Sequence, residues 1–565
     1  MSDVSLAPVG LIVLPLIAAA VALAAGVVRE RTGWAIAVAT LLAEGGIAAW
    51  LANTVYYGQG RVIHELGDYG RPEEFAVGIE LVADQLSAIV VLLIVVVSLG
   101  VLAMARSTGP RGNAFFAAFL LLNGGLMGVV LTGDVFNLFV FLEIVGLATY
   151  ALVASDRRPD AAVAALKYLI VGTTGASLYL LGVGYLFMAT GTLNMADLAA
   201  ALAGEPAFVG GPLYTNTLVV AGFAFITVGL FVKAAIYPLH AWQPDAYAAA
   251  PDAVTAYISA LVSTAGAYAF ARIAFDVFTP AFFEAVPAAA WAVVTLASVS
   301  VVAGSALAVT QTRVKRVFAY SSVSQFGLVV AAVGIAVHPA ASESAARLAI
   351  VGAVVHLIGH GVIKGGLFVA AAGLARTAGA RTLEELSGLG HEAPFQSGAM
   401  AVLALSLVGV PPTIGFLGKF YIALGAVEAG IWPVAAVILL STVLTLAYAA
   451  RFLERLYFTP RTAAPAAGVD AAAGVAADGG DADADGADAA TDGGTDAATD
   501  GGADSGAESS DAGVDAVEQD VADAPGASLG LKVALVGAAL LAVALGFAGV
   551  EFADALNPFV TEVVR

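Results

Sequence analysis

The chain reads as an all-α integral membrane protein with about fourteen transmembrane helices, and three observations say so. Apolar residues fill 60% of the 565 positions and the mean hydropathy is +0.91, whereas a soluble domain carries roughly 45–50%. These residues gather into runs near the ~20-residue length a spanning helix needs. Charge is scarce inside the runs, so the exceptions stand out. The chain has only six lysines, and Lys233, Lys364 and Lys419 lie within apolar segments, as does Glu143.

Taken in order, spans are expected near 7–27, 34–54, 84–105, 113–131 and 134–154. The first lacks a basic leader and a small-residue cleavage site, so it reads as a spanning helix and not a removed signal. The run continues with spans near 162–189, 216–237, 253–275, 287–310, 317–337 and 346–374. Within 162–189 the motif GTTGAS (172–177) indicates close helix packing. The last spans fall near 397–428, 431–457 and 529–549. Two should be broken: Pro238 closely follows Lys233, and Pro411-Pro412 interrupts the segment that carries Lys419. Proline removes a backbone donor and kinks a helix. It is commoner in membrane helices generally, but discontinuous helices also mark transport pathways at mid-membrane. The organisation is therefore N-terminal helices over 1–110, a core over 111–457, an acidic linker over 458–528 and a C-terminal helix within 529–565.

The net charge of −20 is local. Sixteen acids and no base lie between Asp470 and Asp523, leaving 28 acids against 24 bases elsewhere. Nucleic-acid binding has no support. Residues 462–527 are rich in Ala, Asp and Gly, too poor in apolar surface to offset the entropy of ordering. They are expected to be a disordered linker. Dense acid with scarce lysine fits a salt-rich cytoplasm, or an arbitrary insertion. There is no cysteine, so disulfides and thiolate metal or cluster ligands are excluded.

Basic residues set topology. Odd-numbered loops hold Arg29 and Arg31, Arg106 and Arg111, Arg157 and Arg158, Arg313, Lys315 and Arg316, Arg376 and Arg381, and Arg455 and Arg461. Even-numbered loops have few bases, except the one with Arg61 and Arg71, which also holds Glu65, Asp68, Glu73 and Glu74. Odd loops are expected in the cytoplasm, with both termini outside and the acidic linker inside.

A charge at bilayer depth costs roughly 2.5–3.5 kcal/mol on insertion scales, and such residues persist when they pair or line a path for ions. Glu143 and Lys233 form the first candidate pair. As a moving pair they would exchange protons as a coupled unit; as a static pair they would only fix helix packing. His356, His360 and Lys364 are spaced four apart, which places them on one stripe roughly 12 Å long. That pattern fits a hydrated proton relay. A metal site would use the same histidines, but no carboxylate or thiol stands near them in that helix. Lys419 either snorkels toward an interface or occupies a packed, partly unwound site beside Gly415 and Gly418. No nucleophile elbow, phosphate loop or dinucleotide fingerprint occurs, so no cofactor or enzymatic site is expected.

Five segments carry a family resemblance: TGDVFNLFVFLE (132–143), FVKAAIYPLHAWQPDAYAAAP (231–251), VKRVFAYSSVSQFG (314–327), HLIGHGVIKGGLF (356–368) and SLVGVPPTIGFLGKFY (406–421). The chain resembles, over about residues 80–457, the antiporter-like subunits shared by respiratory complex I and Mrp-type multisubunit cation/proton antiporters. FNLFVFLE, GTLNMADLA (191–199) and GIELVADQLSA (78–88) look most like the D-type branch of the Mrp subunits. The resemblance implies two inverted five-helix repeats, each with a broken helix. It also implies that Glu143 and Lys233 are the ion pair, that His356, His360 and Lys364 form the central relay, and that Lys419 is the distal lysine. Two positions depart from the family. Thr264, in LVSTAGAY, stands where a lysine is frequent, and Arg313 stands where an aspartate is frequent. Threonine carries no titrating proton, so a link from Lys233 to the histidine stripe would need water at Thr264.

The expected function is a membrane subunit of a Na⁺/H⁺ antiporter in the cell membrane, working with other membrane subunits, protons and a monovalent cation. One alternative is a proton-pumping subunit of a complex I-like NADH:quinone oxidoreductase whose redox sites lie in other subunits. The other is a scaffold that has lost transport.

Overall fold

The computed structural model describes residues 3–58, 60–67, 78–110, 112–156, 158–204, 211–461 and 528–564. The acidic stretch 462–527, Arg111, Arg157, and the loop residues Asp68, Arg71, Glu73 and Glu74 lie outside them.

The apolar runs fold as α1 (Ala7–Val28) and α2 (Gly33–Tyr57), joined by a tight turn. Asn113 clamps that turn: its Oδ1 accepts from Gly33 N at 3.0 Å and its Nδ2 donates to Ala22 O at 2.9 Å. A hairpin follows, β1 (Val62–Leu66) antiparallel to β2 (Ile79–Ala83), with Val62 opposite Ala83. The all-α class holds, and the second loop carries this short hairpin, with the alternation of VIHEL matched to the period of a strand. Asp84 caps α3 (Gln85–Thr108), accepting from Ser87 N at 2.8 Å. Next come α4 (Asn113–Leu131) and α5 (Val135–Val153), the latter capped by Asp134.

α6 (Pro159–Thr190), α7 (Met195–Ala203) and α8 (Thr217–Lys233) lead to the first break. After it come α9 (Gln243–Ala249), α10 (Asp252–Arg272), a π-helical turn, α11 (Thr279–Ala285) and α12 (Pro287–Thr310). α13 (Val314–Ala336) and the 36-residue α14 (Glu343–Ala378) follow. After α15 (Leu389–Glu392), the expected span 397–428 divides into α16 (Pro394–Val408) and α17 (Ile414–Glu428), separated by residues 409–413. α18 (Trp432–Leu453) closes this part. α19 (Leu529–Phe547), α20 (Gly549–Ala555) and α21 (Asn557–Val564) belong to the same compact unit, with α19 packed on α3 and α14.

Among the described residues twelve helices are long and apolar enough to cross a bilayer. The spans 216–237 and 397–428 are broken, as expected: α8 and α16 stop at 17 and 15 residues. α10 is buried along its length and α13 nearly so, while α1, α2, α6 and α18 turn large apolar side chains such as Leu42, Val163 and Leu439 outward. Lipid, as apolar as leucine, does not drive these helices together, so close packing must. A Cβ on Gly229 of α8 would stand 2.6 Å from the Gly175 carbonyl oxygen of α6. GTTGAS is therefore a packing seam.

Loops alternate between two ends of the bundle. At one end Arg158, Asp252, Arg313, Lys315 and Arg381 line a cavity of about 740 Å³, with Lys315 and Asp252 paired at 2.6 Å. At the other, β2 bridges to Thr132, Asp134 bridges to Asn194, and Arg272 pairs with Asp84 at 2.5 Å.

Candidate functional site

Lys233 is the final residue of α8, and its Nζ donates to Glu143 Oε1 of α5 at 2.8 Å. The lysine side chain is 8% exposed and the glutamate 21%. Gly146, one turn beyond Glu143, leaves room there: a Cβ would stand 3.4 Å from Lys233 Nζ. The helix stops because Ala235 takes φ +55 and Pro238 has no N–H to continue the ladder. Positive φ in a residue with a Cβ is strained, and such strain clusters at functional sites. The freed Val232 carbonyl is satisfied by the Trp242 indole at 2.9 Å, and that ring stacks on Tyr168. The chain resumes in α9, whose Gln243 Nε2 donates to Ser263 of α10 at 3.0 Å.

α10 lies between the pair and the histidine helix. Gly266 packs against the Lys233 carbonyl on one side, and Ala260 packs against Gly361 and Gly365 of α14 on the other. Thr264 is buried on α10, but its hydroxyl donates to Ala260 O of its own helix at 2.7 Å. Its oxygen lone pairs remain to accept.

On α14 the stripe of His356, His360 and Lys364 is buried. Lys364 Nζ donates to Phe318 O of α13 at 2.7 Å and to the Ser321 hydroxyl. Phe326 meets the His360 ring edge-on at 4.4 Å. Neither ring nitrogen of His356 or His360 has a protein partner among the described residues, and neither amide atom of Gln325 does. Buried polar atoms without protein partners are as a rule satisfied by water. This part of the core is therefore polar enough to hold water.

Lys419, on α17, is buried and does not snorkel. Its Nζ donates to Leu407 O at 2.9 Å and Val408 O at 3.0 Å, the terminal carbonyls of α16. A cation is favoured at such an end, where unpaired carbonyls and the helix dipole both attract it. Gly418 brings α17 onto α14, since a Cβ there would stand 2.7 Å from His356 Cβ.

The expected residues thus fall into three groups: Glu143 with Lys233, then the stripe of Lys364, His360 and His356, then Lys419 beside that stripe. Of these three lysines only Lys233 has a carboxylate partner among the described residues; Lys364 and Lys419 are held by neutral oxygens. A lysine solvated by carbonyls and hydroxyls can release a proton without abandoning a paired carboxylate. Sequence reasoning missed Ser321 and Gln325, although the polar run YSSVSQ inside an apolar span signals them. It also missed Glu44, which the burial argument applied to Glu143 would have found. No three His, Asp or Glu side chains converge as a metal would require among the described residues.

Two broken helices carrying buried lysines, packed about a helix whose buried histidine nitrogens have no protein partner among the described residues, define a membrane protein of the ion-translocating class. Comparison gives the family. Residues 132–445 match the family described as NADH:quinone oxidoreductase/Mrp antiporter, transmembrane, and the chain belongs to it. It is 41% identical over 387 residues to the N subunit of the NADH-quinone oxidoreductase of Desulforudis audaxviator, covering 67% of this chain and 73% of that one. It is 32% identical over 372 residues to the D subunit of the Na(+)/H(+) antiporter of Bacillus subtilis, covering 65% and 71%. Among solved structures, a chain of the Mrp complex from Dietzia sp. superimposes with TM-score 0.77 at 25% identity, with full coverage of both chains.

Proposed function

We propose that the chain is a membrane subunit of a multisubunit cation/proton antiporter, with Na⁺ as the exchanged cation. Protons pass laterally through Glu143 and Lys233, past Thr264 by way of water, along Lys364, His360 and His356, and on to Lys419. The observation that carries this reading is the Lys233–Glu143 pair, 2.8 Å long and placed at a helix break. Opening the pair would unload one member and load the other. The end lined by Arg158, Arg313, Lys315 and Arg381 faces the cytoplasm, in keeping with the preference of basic residues for that side. Other membrane subunits complete the path, as the relatives' assemblies suggest.

A second reading is a proton-pumping subunit of a redox-driven complex, favoured by the 41% identity to an oxidoreductase N subunit. Inverted vesicles holding the whole complex separate the two. An antiporter dissipates an imposed pH gradient on addition of Na⁺ without an electron donor. A redox pump builds a gradient only when a donor is supplied. Absence of both activities in the assembled complex would leave the chain as a scaffold.

A further inference from the structure

Glu44 stands apart from the residues just described. It lies near the middle of α2, in the apolar segment LLAEGG, and is fully buried. Its two carboxyl oxygens lie 3.0 and 2.8 Å from Asn123 Nδ2 of α4. Asn123 Oδ1 accepts in turn from the Ser98 hydroxyl of α3 at 3.0 Å and the Tyr257 hydroxyl of α10 at 3.2 Å. All of these side chains are buried, and Phe119 stacks on the Tyr257 ring. The two hydroxyls fix the amide so that its nitrogen faces the carboxyl. Four helices thus contribute one side chain each to an enclosed polar cluster.

Among the described residues no cation completes the cluster. α1 and α4 carry no charged side chain, and Glu44 is the only one on α2. The one charge on α3 is Arg106, in its last turn and over the Trp34 ring. Asp252 and Arg272 mark the two ends of α10, leaving Tyr257 as the only other titratable group in contact. A lone carboxylate at such depth is disfavoured unless hydrogen-bonded, and its simplest relief is to take a proton. The geometry suits both forms. The ionised acid accepts from Asn123 at both oxygens, and the neutral acid at one. Tyr257 also ties the cluster to the central helix: it precedes Ala260, which packs on Gly361, by one turn and Thr264 by two.

We propose that Glu44 is a proton-storage site, loaded and unloaded during turnover and linked to α10 through Asn123 and Tyr257. It lies outside the Glu143-to-Lys419 line, and its test reads its own proton, so it stands or falls separately from the proposed function. Infrared difference spectroscopy on the whole purified complex is the measurement. Wild type should show the carbonyl stretch of a protonated carboxyl that E44Q lacks, and in D₂O the band should shift during turnover. The double variant Ser98→Ala with Tyr257→Phe keeps the acid but frees the amide, so it should retain the band and slow its exchange several-fold. If E44Q fails to assemble, the double variant alone decides, with unchanged exchange counting against the proposal. A band identical in wild type and assembled E44Q overturns it, as does a wild-type band that never exchanges.

Discussion

Lys233→Met removes a charge while keeping most of the apolar volume, and it strands Glu143 without its 2.8 Å partner. Breaking a fully buried pair costs roughly 3–5 kcal/mol. Glu143 is 21% exposed, so the pair is not fully buried and the cost lies toward the lower end. The complex should therefore assemble, while Na⁺-dependent dissipation of a pH gradient in vesicles falls to background. An assembled Lys233→Met complex that still transports would refute the role. Thr264→Val gives a finer test. The threonine hydroxyl bonds only to Ala260 O, so its loss costs about 1 kcal/mol. It also deletes a buried hydroxyl of α10, the helix between the ion pair and the histidine helix, and transport should slow several-fold. Unchanged transport would mean that protons do not pass Thr264.

Among the elements, α13 and the broken α16–α17 pair carry the sharpest expectations. Gln325 of α13 is buried with no protein partner for either amide atom. Replacing a buried polar group that makes no protein hydrogen bond by an apolar one of similar shape leaves no protein partner unpaired, so it is near neutral or stabilising. Gln325→Leu should leave the thermal midpoint of the purified complex unchanged or higher and reduce transport. A lowered midpoint with normal transport would make Gln325 a packing residue. Gly418→Leu acts oppositely: the new side chain would enter His356, and overpacking costs about 1–3 kcal/mol. A lower midpoint is expected even before activity is measured.

For the molecule as a whole, the absence of cysteine makes orientation directly measurable. Arg381 and Glu562 are exposed at opposite ends of the bundle. Arg381→Cys should react with an impermeant maleimide only in inverted vesicles and Glu562→Cys only in right-side-out ones; the reverse pattern would invert the topology. The end near Glu562 is tied by Asp84. Burial pushes the Asp84 carboxyl up, but the Arg272 guanidinium and the Ser87 N–H together hold it below its usual 3.8. A depressed carboxyl stabilises the fold above the unfolded value, and that contribution fades as pH falls through the folded one. Wild type should therefore lose stability below about pH 4, and Asp84→Asn should be less stable at neutral pH and show less of this acid loss.

The membrane class, the apolar spans, the buried residues Lys233, His356, His360, Lys364 and Lys419 and the part-buried Glu143 were legible in the sequence, because apolar length and the cost of a charge within it are properties of a linear chain. The breaks after Lys233 and before Lys419 were legible too, since proline cannot donate. What holds each charge was not. Phe318 O is 46 residues from Lys364, and Asn123 is 79 residues from Glu44. The carbonyls under Lys419 are free only because α16 happens to end there. The Thr264 hydroxyl bonds the carbonyl four residues back in its own helix, one of the two rotamers open to a helical threonine. Partners of buried polar groups depend on which helix ends, or which hydroxyl points, at the same place in space, and packing alone decides that.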